Sequence, residues 1–354
     1  MNQQRDYIII GQGLAGSALA WELVQRGKSV TVYDQPADNR ASAIAAGLYN
    51  PITGRVMTKT WKADAIFPFL KKFYQHAEGI LNGKFLHELP IYRPFHSLEE
   101  QKQWRLKSES PELKNFLLAF HDQEAFAHQT NDLFGGIEIS HSGYVDVMAW
   151  MSAIRGLLTE KVFYQEEAFD EKELSVEDGV RYKNCTAGKI IFCNGIQALR
   201  GRWFSWLPIK PLKGETLDVR MQTMPERIYN QGVYLVPHGD DKVLRVGATY
   251  EHSPFSEATS SRGHDELDAK LRALIRMPYE IIHQEWGIRP TTPDRRPMLG
   301  AHPENKNVII FNGLGTKGVS LAPYFACQLA DWLEGKGDLS SEVNINRFKP
   351  LYSR

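Results

Sequence analysis

The chain has 354 residues, too long for one small domain and comfortable for two. Hydrophobic residues make up 42%, enough for a packed core, which excludes wholesale disorder. Lys+Arg and Asp+Glu balance at 42 each, so nucleic acid is not expected as the main partner, though the balance leaves room for a local basic face.

The three cysteines, Cys185, Cys193 and Cys327, are odd in number and lack C-x-x-C spacing, which argues against a disulfide scaffold and a zinc site. No histidine grouping has metal-ligand spacing, so no metal is expected. No apolar run reaches the roughly 18 residues of a membrane span. The first strand begins almost at the N-terminus, so no signal peptide is expected and a cytoplasmic location is.

Asp6-Tyr7-Ile8-Ile9-Ile10 reads as a short buried strand and runs into Gly11-Gln12-Gly13-Leu14-Ala15-Gly16. A helical pattern follows, with Ala15, Ala18, Leu19 and Leu23 on one face, and stops near Gly27. Val30-Thr31-Val32-Tyr33 is a second strand, ending on Asp34. This is a βαβ unit with a G-x-G-x-x-G turn, the dinucleotide fingerprint. Gly11 allows the tight turn, Gly13 lets the backbone approach a pyrophosphate, and Gly16 lets helix and strand pack closely. Phosphates then sit at a helix N-terminus, where free N–H groups and the dipole favour negative charge. Asp34 closes the second strand where a carboxylate accepts from ribose hydroxyls, which makes NADP the least expected guest. The fingerprint alone does not separate FAD from NAD.

A polar stretch from Gln35 to Ser42 leads to the small-residue segment Ala43 to Pro51, expected to pack its backbone closely, against a ligand or as a helix start. From Lys62 to about Leu81 the positions Ala65, Phe69, Phe73 and Ile80 have helical spacing. Residues 85–140 read as an insertion: a proline-bounded strand at Leu89–Phe95, a charged helix at Glu99–Lys107, a second amphipathic stretch around Leu113–Phe120, and strand character again at Gly135–Ile139. Gly143-Tyr144-Val145-Asp146 opens a helix with Val147, Trp150, Met151, Ile154 and Leu158 inward. Val162-Phe163-Tyr164 and Lys189–Cys193 read as strands, the latter ending on Asn194-Gly195. Glu215–Arg220, Gly232–Val236 and Val243–Thr249 alternate as strands, the last two as a hairpin about Pro237-His238-Gly239-Asp240-Asp241. Glu266–Arg276 is helical, and Trp286–Asp294 is expected as a rigid loop because Pro290 and Pro293 fix φ. The strand Val308–Phe311 then enters a second glycine-rich turn, Asn312 to Val319, before a helix from about Ser320 to Leu333. Here again bare amides and a helix N-terminus face an electron-rich group.

Taken together, Gly11–Gly16 with Asp34, Ala46-Gly47-Leu48-Tyr49, Gly143–Asp146, Ile191–Gly195, Leu212-Lys213-Gly214-Glu215, Tyr234-Leu235-Val236-Pro237, Gly287-Ile288-Arg289-Pro290 with Pro293-Asp294, and Gly313–Pro323 run nearly end to end. In that order and spacing the chain resembles the D-amino-acid-oxidase-like superfamily of FAD-dependent amine oxidoreductases. That group includes glycine oxidase, sarcosine oxidase and the flavin domain of the tRNA aminomethyluridine-modifying enzyme. The resemblance implies an α/β fold, with a discontinuous Rossmann-type FAD-binding domain from 1–86, 141–207 and 285–354. A smaller α+β substrate domain on an antiparallel sheet would come from 87–140 and 208–284. It also implies non-covalent FAD, since Cys193 lies in a buried strand and Cys327 inside the last helix. Cofactor contacts are expected from Gly11, Gly13, Leu14, Ala15, Gly16, Asp34, Ser42, Ala46, Gly47, Leu48, Asn194, Gly195, Gly313, Gly315, Thr316, Lys317, Gly318 and Val319.

By the same resemblance Arg289 grips a substrate carboxylate, for which its planar fork of donors is suited. The alternative is a structural salt bridge. Tyr234 would face the flavin and hydrogen-bond the carboxylate, with Tyr49 a weaker candidate of the same kind; core tyrosine is the alternative reading. Arg245 falls where some sarcosine oxidases have a lysine over the flavin. An arginine there argues against efficient oxygen use, and a strand-exposed cation is the preferred reading. Lys317 either adds a cation at the flavin's pyrimidine end or points to solvent. Glycine oxidases have an arginine near Thr316, so its lack here argues against glycine itself as substrate. The implied reaction is hydride removal from the carbon bearing an amine in a small amino acid or N-substituted amine, giving an imine, with oxygen or another acceptor reoxidising the flavin. Hydride transfer from a neutral amine requires no general base. Two alternatives stand: oxidation of an aminomethyl group on a tRNA wobble uridine, and a flavin-binding protein without turnover.

Overall fold

The computed structural model describes residues 3–37, 39–53, 58–177, 179–239 and 242–352. Five parallel strands form the heart of an eight-stranded sheet, in the spatial order Tyr164–Glu166, Val30–Asp34, Gln3–Ile10, Cys185–Phe192, Asn305–Asn312. Numbered along the chain this is the order 3-2-1-4-5, which reverses between Gln3–Ile10 and Cys185–Phe192, and such a switch point opens a crevice at the carboxyl ends of the strands. Residues Ile8, Ile9, Ile190, Ile191, Val308, Ile309 and Ile310 are fully buried, as a sheet covered on both faces requires.

The helix Leu14–Gln25 follows the first strand and is buried almost all round, because it lies between the sheet and the last helix, Gly318–Leu333. It ends where Gly27 takes a φ of +74° and the N–H groups of Gly27 and Lys28 return to Val24 and Leu23, a Schellman stop. Asp146 caps the helix Val147–Glu160 by accepting from the Ala149 N–H at 2.8 Å.

The second sheet has nine strands organised on Lys210–Met221, which pairs antiparallel with Val243–Gly247 on one side and with Tyr279–Thr291 on the other. One of its pairs, Ile228–Gln231 with Ile91–Pro94, is parallel. Leu217, Val219, Leu235, Leu244 and Val246 point to one face and pack under the helix Ser261–Leu274. Period-two alternation therefore sends Thr216, Tyr234 and Gly247 to the opposite face.

Several elements differ from the sequence reading. Trp286–Asp294 is not a loop through its first half: the strand Tyr279–Thr291 continues through Pro290, which faces Pro211 where no ladder N–H is required. That strand also crosses the 284/285 boundary, so Arg289 rides on the second sheet. Leu113–Phe120 splits into a short helix, Pro111–Lys114, and a strand, Leu117–His121, which pairs antiparallel with Gly136–Ile139. The helix Ala63–Leu81 buries Ile66, Phe67, Leu70, Phe73, Tyr74 and Ala77, whereas Ala65 and Ile80 face solvent. Val162 is exposed with φ +57°, and the third parallel strand starts at Tyr164. Asp240 and Asp241 of the expected hairpin turn lie outside the described residues, while the flanking strands pair antiparallel.

Candidate active site

A cavity of about 2170 Å³ starts at the switch point and runs to the inner face of the second sheet. Of the expected cofactor contacts every one except Gly16 lies on its wall. Gly16 acts from behind: a Cβ there would strike the Gly11 carbonyl oxygen, so its absence lets the helix seat against the turn. Gly11 itself has φ +96° and lies against the backbone of Cys193 and Asn194, which brings the ends of the two central strands together. The helix cap at Gly13 carries no side-chain bond, so the first turn presents bare amides to the cavity; Ser42 Oγ accepts from the Leu14 N–H at 3.0 Å. Asp34 accepts from the Gln12 N–H at 2.8 Å and pairs with Arg40 at 2.9 Å. Each carboxylate oxygen keeps lone-pair capacity for a sugar hydroxyl.

Asn194 Oδ1 is buried without a partner among the described residues, and Asn194 lines the cavity. An acceptor left bare in this way fits a ligand that donates to it. Opposite stands the late turn, with Gly313 at φ +72° and Gly315 at φ +55°. A Cβ on Gly318 would sit 3.0 Å from Leu14 Cδ1, so the N-termini of the first and last helices are packed side by side. Two positive dipole ends thus converge on one cavity, which suits a pyrophosphate at one and an electron-rich ring at the other. Cys193, expected clear of the cofactor, also reaches the wall; burial pushes its thiol up, so it stays protonated and unreactive.

At the far end, Arg289 makes one weak hydrogen bond among the described residues, from Nη1 to the Thr249 carbonyl at 3.5 Å, and its guanidinium stands 5.2 Å from the Tyr250 ring centre. No ion pair engages it among the described residues. Tyr234, Gly247 and Thr216 form one cross-strand row, in which the glycine leaves a floor between a phenol and a hydroxyl. Burial pushes the Tyr234 phenol up to about 12, against the pull of the Arg289 guanidinium, so it is a hydrogen-bond donor at neutral pH. Thr216 is 2% exposed, and its Oγ1 has no partner among the described residues. Sequence reading missed Thr216, although it shares strand parity with the quoted Gly214.

Two candidate side chains, Arg245 and Tyr49, sit differently from expectation, and Lys317 departs from one of the two readings left open for it. Arg245 is not an exposed cation: it is 2% exposed, absent from the cavity wall, and forked onto Asp218 at 2.8 and 3.0 Å, with Glu285 at 2.5 Å. Its remaining Nη1 donates to the Ile44 carbonyl at 2.9 Å, which ties the sheet to the Ala41–Ile44 helix. Tyr49 lines the cavity, but its hydroxyl donates to the His87 carbonyl at 3.4 Å and is not available there. Lys317 does not point to solvent; Nζ donates to Thr53 Oγ1 at 3.0 Å and Thr60 Oγ1 at 3.4 Å.

The family described as FAD dependent oxidoreductase (DAO) matches residues 6–332. The bifunctional protein ThiO/ThiG of Trichormus variabilis is 28% identical over 374 residues, covering 98% of this chain and 55% of that protein, so the chain spans about half the length of such relatives. Glycine oxidase of Geobacillus kaustophilus is 25% identical over 372 residues, covering 95% of this chain and 94% of the relative. The crystal structure of glycine oxidase from Bacillus cereus superposes with a TM-score of 0.79 at 21% identity, over 94% of this chain and 96% of the other.

Proposed function

Because the chain belongs to the DAO family of FAD-dependent oxidoreductases, we propose that it oxidises the C–N bond of a small amino acid or N-substituted amine to an imine. The observation that carries this reading is Arg289, a guanidinium on the cavity wall without an ion-pair partner among the described residues, beside a protonated tyrosine. Bound FAD supplies the hydride acceptor. Arg289 forks onto the substrate carboxylate, and the Tyr234 hydroxyl donates to the same group. Thr216 closes the row beyond Gly247 and fixes how the amine-bearing carbon is presented. Where a bound substrate displaces water from that end, each contact is worth more than it would be in solvent. Residues 1–86, 141–207 and 285–354 hold the cofactor without a covalent link, and 87–140 with 208–284 cover the substrate; Arg289 works across that division from a shared strand. The relatives named glycine oxidase support an amino acid as the substrate class.

Anaerobic mixing of the yellow holoprotein with D-amino acids, glycine, sarcosine and proline tests the reading, since the right substrate bleaches the visible band. No bleaching by any amine overturns it, and bleaching only by hypomodified tRNA moves the reaction to a wobble uridine. Arg289→Ala is expected to raise KM at least about tenfold, the loss of a charge-assisted contact in a dry site. An unchanged KM removes Arg289 from the carboxylate.

A further inference from the structure

The twelve-residue strand Lys210–Met221 carries a glycine, Gly214, on the cavity wall. Glycine inside a strand weakens it and marks a place where something approaches the backbone closely. The backbone itself does not demand glycine here, because φ of Gly214 lies outside the left-handed region. What approaches is Arg289. The three nearest atoms that a Cβ on Gly214 would meet are Nη1, Nη2 and Cζ of Arg289, all in overlap. Arg289 is paired with Leu212, so its side chain leans along the neighbouring strand to lie over Gly214.

Tyr250 reaches the same place from the other side. Leu212 pairs with His252 and Lys213 with Glu251. The Glu215 carbonyl accepts from the Thr249 N–H at 3.1 Å, and the Glu215 N–H donates to Thr249 Oγ1 at 2.8 Å. The one step left between these ties sets Tyr250 opposite Gly214. It is pinned further by Lys213, 1% exposed, whose Nζ stands 3.2 Å from the Glu251 carboxylate. Tyr250 is nonetheless 65% exposed, and its ring centre is 5.2 Å from the Arg289 guanidinium, within the range of a cation–ring attraction. The Thr249 carbonyl completes the cradle by accepting from Arg289 Nη1 at 3.5 Å. A guanidinium and a phenol ring thus meet above one bare backbone position. Gly247 plays a similar part for Tyr234, since a Cβ there would lie 2.6 Å from Tyr234 Cζ.

We propose that Gly214 is a positioning residue for Arg289: its bare backbone and the Tyr250 ring form a cradle that fixes the guanidinium fork for a substrate carboxylate. This rests on Arg289 binding that carboxylate. A methyl at position 214 lifts the fork off the sheet, and a bidentate contact tolerates little misplacement.

Methoxyacetate, a carboxylate ether with no nitrogen to oxidise, is titrated into oxidised holoprotein and its Kd read from the shift of the flavin visible spectrum. Gly214→Ala is expected to weaken it at least about tenfold, the scale of one charge-assisted contact. With Arg289→Ala already in place, the same substitution should change Kd less than about twofold, since the methyl then has no fork to displace. Tyr250→Leu should weaken the probe about two- to fivefold, whereas Tyr250→Phe keeps the ring and the affinity. An unchanged Kd in Gly214→Ala or in Tyr250→Leu overturns the cradle. So does a loss in Gly214→Ala that simply adds to that of Arg289→Ala. Where Gly214→Ala fails to hold flavin, melting temperatures decide: the double variant Gly214→Ala/Arg289→Ala should recover the value of Arg289→Ala alone, and no recovery would place Gly214 in the fold. If Arg289→Ala leaves the Kd unchanged, the carboxylate reading falls, while the same recovery still decides whether Gly214 seats Arg289.

Discussion

At the scale of single residues, the cavity places two cations of different kinds on its wall. Arg289 carries a planar guanidinium fork. Lys317 loses its proton near pH 8 because of its burial and of Arg295 and Arg296 behind it. The sign follows directly: the lysine is cationic below that value and neutral above it. Tyr234→Phe removes one donor and leaves the ring. A hydrogen bond to a charged group contributes about 1.5–3 kcal/mol, so KM for the true substrate should rise roughly tenfold or more. A KM within error of the parent would make Tyr234 part of the packing only.

At the scale of elements, the active-site face of the second sheet is fixed by what lies beneath and beside it. Arg245 is the strongest tie, since its fork on Asp218 and its contact with Glu285 are completed by the Ile44 carbonyl from the other sheet's side. Arg245→Met leaves the buried Asp218 carboxylate without its fork, and breaking a buried pair in this way costs about 3–5 kcal/mol. Urea unfolding should show that loss, together with weakened flavin retention, because Ala41–Ile44 adjoins the Ser42 that meets the first helix. A loss below about 1 kcal/mol would mean the pair is solvated. Here the limits of the sequence show their physical cause. The fingerprint turn was legible because each glycine has its own steric reason, and Asp34 followed from the strand end. Arg245 was not: a period-two strand tells which face a residue takes, yet only the folded chain shows that Ala43 and Ile44 cover that face. The socket of Lys317 was hidden similarly, since Thr53 and Thr60 lie more than 250 positions away. The strand through Pro290 was hidden because proline reads as a breaker unless its unpaired side is known.

For the molecule as a whole, the cavity is the seam between two sheets, and its wall draws on both. The first sheet contributes amides and helix dipoles, the second contributes Arg289, Tyr234 and Thr216, and among the described residues Tyr279–Thr291 and the Arg245 tie help to join them on this face. A dinucleotide lying along that seam contacts both sheets and binds only the folded arrangement. By mass action, FAD at a hundredfold excess over Kd adds about 2.7 kcal/mol of stability. For a chain of this size that is a rise of roughly 3–6 °C in Tm. The two sheets should also melt together in the presence of FAD, since loss of either one releases the cofactor. Differential scanning calorimetry of flavin-free protein against increasing FAD checks this: one transition moving upward with FAD concentration is expected. Two transitions of which only one shifts would confine the cofactor to a single sheet and take the substrate end out of its reach, and a Tm indifferent to FAD would mean that the folded chain does not bind it.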